Sequence, residues 1–268
     1  MANSIARWLL DEASSGTGPT ECADSAGDNT LTIDYSSGDA AWTSVSGGNG
    51  LDFTAAAASA NSAIAELADI ATNGDIGSSF DAATSLSCLI VTTIDNGHAF
   101  GARLLHIGTN SGNGDFGVLA EVSNLIVRWD QEGGGQEVDY TLPSGLTTIG
   151  ITIDTTESTG ADRCKVYYDG SLQTSIGGVL TINQALDDIN ATNRSICIGN
   201  RPSQNRNIDG KVYYAELFTG QLTATEHSDA HTALSLDNDA DPFGSAPTYP
   251  LEILQSVRYR KRQPKLGM

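Results

Sequence analysis

The chain has 268 residues, 39% of them hydrophobic, which is enough for one large core and within the range of a single β-sandwich. Only 18% are charged, against 29 glycines and many Thr, Ser, Asn and Asp; this excludes a Leu/Glu/Lys-rich helical bundle and suits short strands joined by tight turns. Residues 1–257 hold nine Lys/Arg and all 33 Asp/Glu, a balance of −24 that excludes nucleic acid and anionic membranes as partners of the body.

Residues 1–10 lack a basic start and an apolar run, so no signal peptide is expected there, and no 18-residue apolar stretch follows anywhere. Apolar runs of strand length then recur between turn clusters. In order they are Ile5–Leu10, Leu31–Tyr35, Leu51–Phe53, Leu86–Ile94, Arg103–Ile107 and Phe116–Glu121. Six more follow: Asn124–Trp129, Gln136–Leu142, Thr147–Asp154, Arg163–Tyr168, Ser195–Gly199 and Val212–Phe218. Asp169-Gly170 after Tyr168 is a two-residue hairpin signal, and the Gly-rich runs 47–50 and 133–135 read as hairpin turns. About a dozen strands at this spacing predict a sandwich or barrel, not βαβ units.

Two helices are expected. Residues 60–71 place Ile64, Leu67 and Ile70 on one helical face. Residues 223–234 open on Thr223-Ala-Thr-Glu226, the spacing of a capping box. Beyond Asp237 the pattern dissolves into Asp, Pro and Gly. We therefore divide the chain into a sandwich, 1–236, and a Pro-containing linker with a basic tail, 237–268.

Several segments together resemble the concanavalin A-like lectin/glucanase superfamily in its laminin G-like branch. Ala6 to Thr17 resembles that family's first strand and turn, Ala23–Asn29 its next turn, and Leu51–Phe53 a following strand. Cys164-Lys-Val-Tyr-Tyr-Asp-Gly-Ser-Leu172 resembles its strand, Asp-Gly, strand hairpin. Ile198-Gly-Asn200 and Ile208–Phe218 resemble its penultimate strand pair, and Leu222–Glu226 its closing helix. The resemblance implies an all-β, two-sheet antiparallel jelly-roll sandwich with one or two short helices and an extended C-terminal tail. It says little about function, since this scaffold hosts lectins, glycosidases, adhesion modules and virion parts.

The glycosidases of this superfamily resemble one another in a Glu-x-Asp-x-x-Glu strand, whose alternation puts the carboxylates on one face. Here only Glu137-Val-Asp139 remains, and the second Glu is missing, so both read as the solvent side of an edge strand. His227 and His231 share one helix face without a metalloprotease motif and read as surface or capping residues. Cys22, Cys88, Cys164 and Cys197 show no Cys-x-x-Cys spacing, and buried free thiols are expected, with one or two disulfides as the alternative. The resemblance implies a calcium ion as a candidate cofactor, with Asp24, Asp28 and Asn29 as its candidate ligands; an Asx turn is the alternative. Sugar stacking would need aromatic platforms, and Trp129, Trp42 and Tyr140, with Tyr35, are the candidates.

No catalytic set emerges, so an enzyme is not expected. The expected role is a virion surface component, of capsid-decoration or fibre type, made in a host cytoplasm. It would dock onto other virion subunits or onto itself through Arg258, Tyr259, Arg260, Lys261, Arg262 and Lys265, leaving the sandwich outward toward host glycans. The alternative is a lectin-like carbohydrate-binding module acting alone.

Overall fold

A computed structural model describes residues 2–35, 40–45, 48–53, 63–74, 76–80, 83–97, 101–109, 116–131, 134–181 and 194–234. The expected tail residues, Arg258 to Lys265, lie outside the described residues.

The chain opens with β1 (Asn3–Trp8), β2 (Glu21–Cys22), β3 (Leu31–Asp34), β4 (Ala41–Val45), β5 (Gly48–Asp52) and β6 (Ile64–Leu67). A short helix α1 (Ile76–Phe80) precedes β7 (Ser85–Asn96), β8 (Ala102–Thr109), β9 (Phe116–Glu121), β10 (Asn124–Gln131) and β11 (Gly134–Thr141). Then come β12 (Leu146–Asp154), β13 (Cys164–Tyr168), β14 (Ser171–Leu172), β15 (Arg194–Ile198), β16 (Asp209–Thr219) and helix α2 (Ala224–Leu234).

These strands form two antiparallel sheets. One runs β14-β13-β12-β7-β16-β5-β4, with β1 also on β16; the other runs β11-β10-β9-β8-β15-β6-β3-β2. Their inward residues meet in one core, among them Trp8, Leu51, Ile90, Leu105, Val127, Ile151 and Leu217. This is the expected two-sheet sandwich, and each of the twelve expected strands is present within it. A second, smaller core forms where α2 lays Ala230 and Ala233 over Leu89, Val91, Tyr213, Tyr214 and Phe218 of the first sheet.

The turns follow their chemistry. Asp169 and Gly170 both take positive φ (51° and 76°) and set Tyr168 opposite Ser171, the geometry of a type I′ hairpin. Helix α2 begins on the expected box: Thr223 Oγ1 accepts from Glu226 N at 3.2 Å, and Thr223 N donates to Glu226 Oε2 at 2.7 Å.

Where a helix over 60–71 is expected, the described residues hold strand β6 (Ile64–Leu67), seated between β15 and β3, and residues 60–62 lie outside the described residues. Ala65 and Leu67 face the core while Ile64 is buried on the opposite face, so apolar residues on both faces of a strand imitate helical spacing. All four cysteines are buried and unpaired, as expected. Among the described residues, no helix is long and apolar enough to cross a membrane.

Candidate functional site

Alternation along each strand of the second sheet sends one set of side chains inward and the other outward. The ladders align part of the outward set into one row: Thr32, Glu66, Cys197, His106, Gly117, Arg128 and Glu137, each opposite the next. At about 4.8 Å per strand, the row runs about 29 Å across the sheet. Its two ends differ in chemistry.

At the β3–β6 end lies a groove of about 870 Å³, lined by Asp28, Thr30, Thr32, Asp34, Glu66, Thr72, Asn73 and Gln204, with Ile33, Ile64, Leu67 and Ala68 as its apolar part. Local hydrogen bonds place the polar rim. Thr72 Oγ1 donates to Asp69 Oδ2 at 3.0 Å, Asn73 Nδ2 to the Ala68 carbonyl at 2.7 Å, and Gln204 Nε2 to Asp34 Oδ2 at 2.8 Å. Gly74 sits at φ +70°, where a Cβ would overlap the Asn29 amide, so the rim rests directly on that buried side chain.

From the middle of the row toward β10, four guanidinium groups lie near one another: Arg103 on β8, Arg128 on β10, and Arg201 and Arg206 on the loop between β15 and β16. The buried Asn200 shapes that loop, its Oδ1 accepting from the backbone of both Arg201 and Arg206 at 2.9 Å. Arg103 N donates to the Arg206 carbonyl at 2.7 Å, which ties the loop to β8. Arg128 Nη1 reaches Glu137 Oε1 at 2.8 Å, and Arg201 Nε reaches Asn205 Oδ1 at 2.7 Å.

Arg103 is only 3% exposed; its Nη1 donates to the Gly101 carbonyl at 2.9 Å, and its buried Nε has no hydrogen-bond partner. Burial pushes its pKa down to about 10, with Arg201, Arg128 and Arg206 adding to the effect and Glu137 opposing it. His106, fully buried beside it, makes no hydrogen bond of good geometry from either ring nitrogen. Burial and the Arg103 charge hold His106 down at about 3, the Thr109 backbone pulling the other way.

The expected aromatic platforms are elsewhere. Trp129, Trp42 and Tyr140 are 1%, 2% and 2% exposed, so none offers an open ring face to a sugar. Trp129 packs edge-on against Phe116 at 6.3 Å, Trp42 Nε1 donates to the Pro19 carbonyl at 3.0 Å, and Tyr140 Oη donates to the Cys164 carbonyl at 3.1 Å. The reason is parity: Trp129 shares the inward side of β10 with Leu125 and Val127, and Tyr140 shares that of β11 with Val138. Tyr35 packs partly buried against the core, its hydroxyl on the Pro19 carbonyl.

The expected calcium ligands are a turn clasp. Asp24 Oδ1 accepts from the backbone of Arg7 and Ala26 at 2.7 and 2.8 Å, and its Oδ2 accepts from Asn29 N and Nδ2 at 3.2 and 2.9 Å. Those four N–H groups occupy the carboxylate, and Asn29 Oδ1 accepts from Ile76 N at the start of α1. Asp28 alone of the three reaches the groove. Among the described residues, no group of three or more His, Cys, Asp or Glu is arranged to hold a metal.

Glu137 is exposed on the edge strand β11 and pairs with Arg128, matching its expected solvent position. His227, expected at the surface, is buried: it stacks on Tyr167 at 4.1 Å and bonds Thr152 Oγ1 through Nε2 at 2.9 Å.

No family model matches the chain, and no curated protein does. Solved structures do resemble it. Domain 4 of AbnA, a GH43 extracellular arabinanase from Geobacillus stearothermophilus, in complex with arabinotriose, aligns with a TM-score of 0.51 at 15% identity, covering 85% of this chain and 98% of that one. The binding domain of Paraclostridial Mosquitocidal Protein 1 aligns at 0.56 and 13%, covering 84% of this chain and 52% of its own. The binding domain of botulinum neurotoxin DC in complex with SialylT gives 0.56 and 11%, covering 84% and 51%. This chain thus spans about half the length of those toxin domains. At such identities the likeness is one of fold, the two-sheet sandwich, and the two toxin neighbours are binding domains.

Proposed function

We propose that the chain is a non-catalytic, lectin-like module that binds a saccharide in the groove beside β3 and β6. The observation that carries this reading is the groove itself: carboxylates, amides and threonine hydroxyls ring an apolar patch on an outward sheet face. Such a rim offers the mixed donors and acceptors that sugar hydroxyls require. Two neighbours of the same fold, the arabinanase domain and the neurotoxin binding domain, were solved with saccharide ligands, arabinotriose and SialylT, which supports a glycan as the ligand class. The engagement of Glu137 with Arg128 supports a binding role over glycoside hydrolysis.

A glycan array probed with the whole chain is expected to give discrete hits. Glu66→Ala, on the outward side of β6, is expected to weaken the best of them about tenfold or more while leaving the thermal melt unchanged. An array that stays silent for the wild-type chain overturns the reading.

For placement, we infer the surface of a virus particle, with other virion subunits or further copies of this chain as partners of the tail. Its support is segregated charge, five Lys/Arg without an acid in residues 258–268 behind a body of balance −24. Deleting residues 251–268 is expected to abolish incorporation into a particle or oligomer, measured by co-sedimentation and light scattering. Normal assembly of the truncated chain removes the docking role.

A further inference from the structure

The loop between β15 and β16 holds one residue in an unfavourable backbone conformation. Gln204 N donates to the Arg201 carbonyl at 2.7 Å, closing a turn over Arg201-Pro-Ser-Gln204, with Pro202 at the position where its fixed φ suits such a turn. Gln204 then takes φ 51°, the left-handed region that ordinarily falls to glycine, or to Asp and Asn through local hydrogen bonds. A Gln gains no such relief, so the surrounding contacts must impose the conformation. They do. Asn200, fully buried, donates from Nδ2 to the Ala63 carbonyl at 3.1 Å, just ahead of β6. Asn205 Oδ1 accepts from Arg201 Nε at 2.7 Å and from Ser203 Oγ at 2.9 Å, which ties the turn to itself.

What the strain delivers is the placement of one side chain. Strand β6 lies between β15 and β3, so a residue following β15 must reach across it, about 10 Å, to touch β3. Gln204 does so: its Nε2 donates to Asp34 Oδ2 at 2.8 Å, a contact between segments 170 residues apart. Asp34 stands opposite Ile64 in the register, two residues along from the Thr32–Glu66 pair. All five residues line the groove, so the contact joins two parts of its wall.

We propose that Gln204 is a positioning residue for the saccharide: its amide fixes the Asp34 carboxylate in the orientation that the groove presents to sugar hydroxyls. The inference rests on the saccharide reading above. Ordering a carboxylate ahead of binding removes an entropy loss that the ligand would otherwise have to meet. A residue that served the turn alone would need no long side chain at 204. Glycine would fit the turn better, and what it lacks is the reach to Asp34.

Two variants separate this role from a structural one. Gln204→Gly and Gln204→Ala both remove the contact, but only glycine is at ease at φ 51°. Gln204→Gly is therefore expected to melt about 2–4 °C above Gln204→Ala, while both lose about tenfold in affinity. Affinity is read by calorimetric titration of the full chain with the strongest hit of the array and with arabinotriose as a fixed probe. Because Gln204 acts through Asp34, its removal is expected to change affinity by less than about twofold in an Asp34→Ala background. Binding that recovers along with the melt in Gln204→Gly would show that the amide serves the loop alone and overturns the proposal. Losses that simply add in the double variant overturn the action through Asp34, and equal melts for the two single variants overturn the strained backbone. An affinity indifferent to both variants, yet weakened by Glu66→Ala, overturns the role of Gln204 and leaves the saccharide reading standing. Absence of binding to every arrayed glycan and to arabinotriose overturns both.

Discussion

Glu216→Ala is expected to destabilise the sandwich by about 3–5 kcal/mol, the cost of stranding a buried partner charge. Glu216 on β16 stands opposite Arg7 on β1. Its Oε1 accepts from Arg7 Nε at 2.8 Å, from Arg7 Nη2 at 2.6 Å and from Ser4 Oγ at 2.6 Å, and its Oε2 accepts from the Tyr214 hydroxyl. The two side chains of the pair are 4% and 0% exposed. Burial works against the Arg7 charge, but Tyr214 and Glu216 more than offset it and leave its pKa raised. Removing the carboxylate therefore leaves a desolvated guanidinium beside a tyrosine that has lost its acceptor. In a chain of this size the melting temperature should fall by about 10 °C. The double variant Arg7→Met/Glu216→Leu is expected to recover most of the loss, because an apolar pair leaves nothing unsatisfied. A single variant that melts within about 2 °C of wild type would show that the pair does not anchor β1.

The second large effect is acid instability from two neutral buried histidines. His106 is held near 3 by burial and the Arg103 charge, and His227 near 4 by burial. Gly150 leaves room for the His227 ring, since a Cβ there would overlap it, while Tyr167 stacks on the ring. In the unfolded chain both titrate near 6.5. Their folded values are lower, so the stability they contribute is complete above about pH 6.5 and is lost as the pH falls through 4 and then 3. At about 1.4 kcal/mol per pH unit, the loss comes to roughly 3 kcal/mol for His227 and roughly 5 for His106. Urea titrations between pH 7 and 4 should show this slope, and His227→Gln should flatten it by about one proton. An unchanged slope in that variant would mean the ring is already charged in the fold.

The sandwich was legible because its twelve main strands alternate or run apolar between Gly, Asn and Asp turns, and backbone pleating converts that pattern directly into faces. Strand β6 was not, because Ile64 is buried on its outward face as Ala65 and Leu67 are on its inward one, which leaves no period of two to read. The aromatic rings were misplaced for a different reason: residue type alone made Trp129 a candidate platform, whereas parity with Leu125 and Val127 assigns it inward. The arginine cluster was invisible in one dimension. Positions 103, 128, 201 and 206 share no spacing, and only the register of β8 against β9 and β15, with the loop carried by Asn200, brings them together. The available hint was the scarcity of basic residues in so acidic a body, with Arg201 and Arg206 in one short loop.

The pairing of β1 with β16 sets Asn3 opposite Thr219 and puts Arg7 209 residues ahead of Glu216. Strand β1 must wait for β16 before its edge is covered. At typical synthesis rates that wait is roughly 10 to 40 s, during which Arg7 remains hydrated and the first sheet lacks its closing strand. Closure of the domain thus waits for β16 and has a high contact order, and a chain stalled before residue 216 exposes an unpaired strand to its neighbours on the polysome.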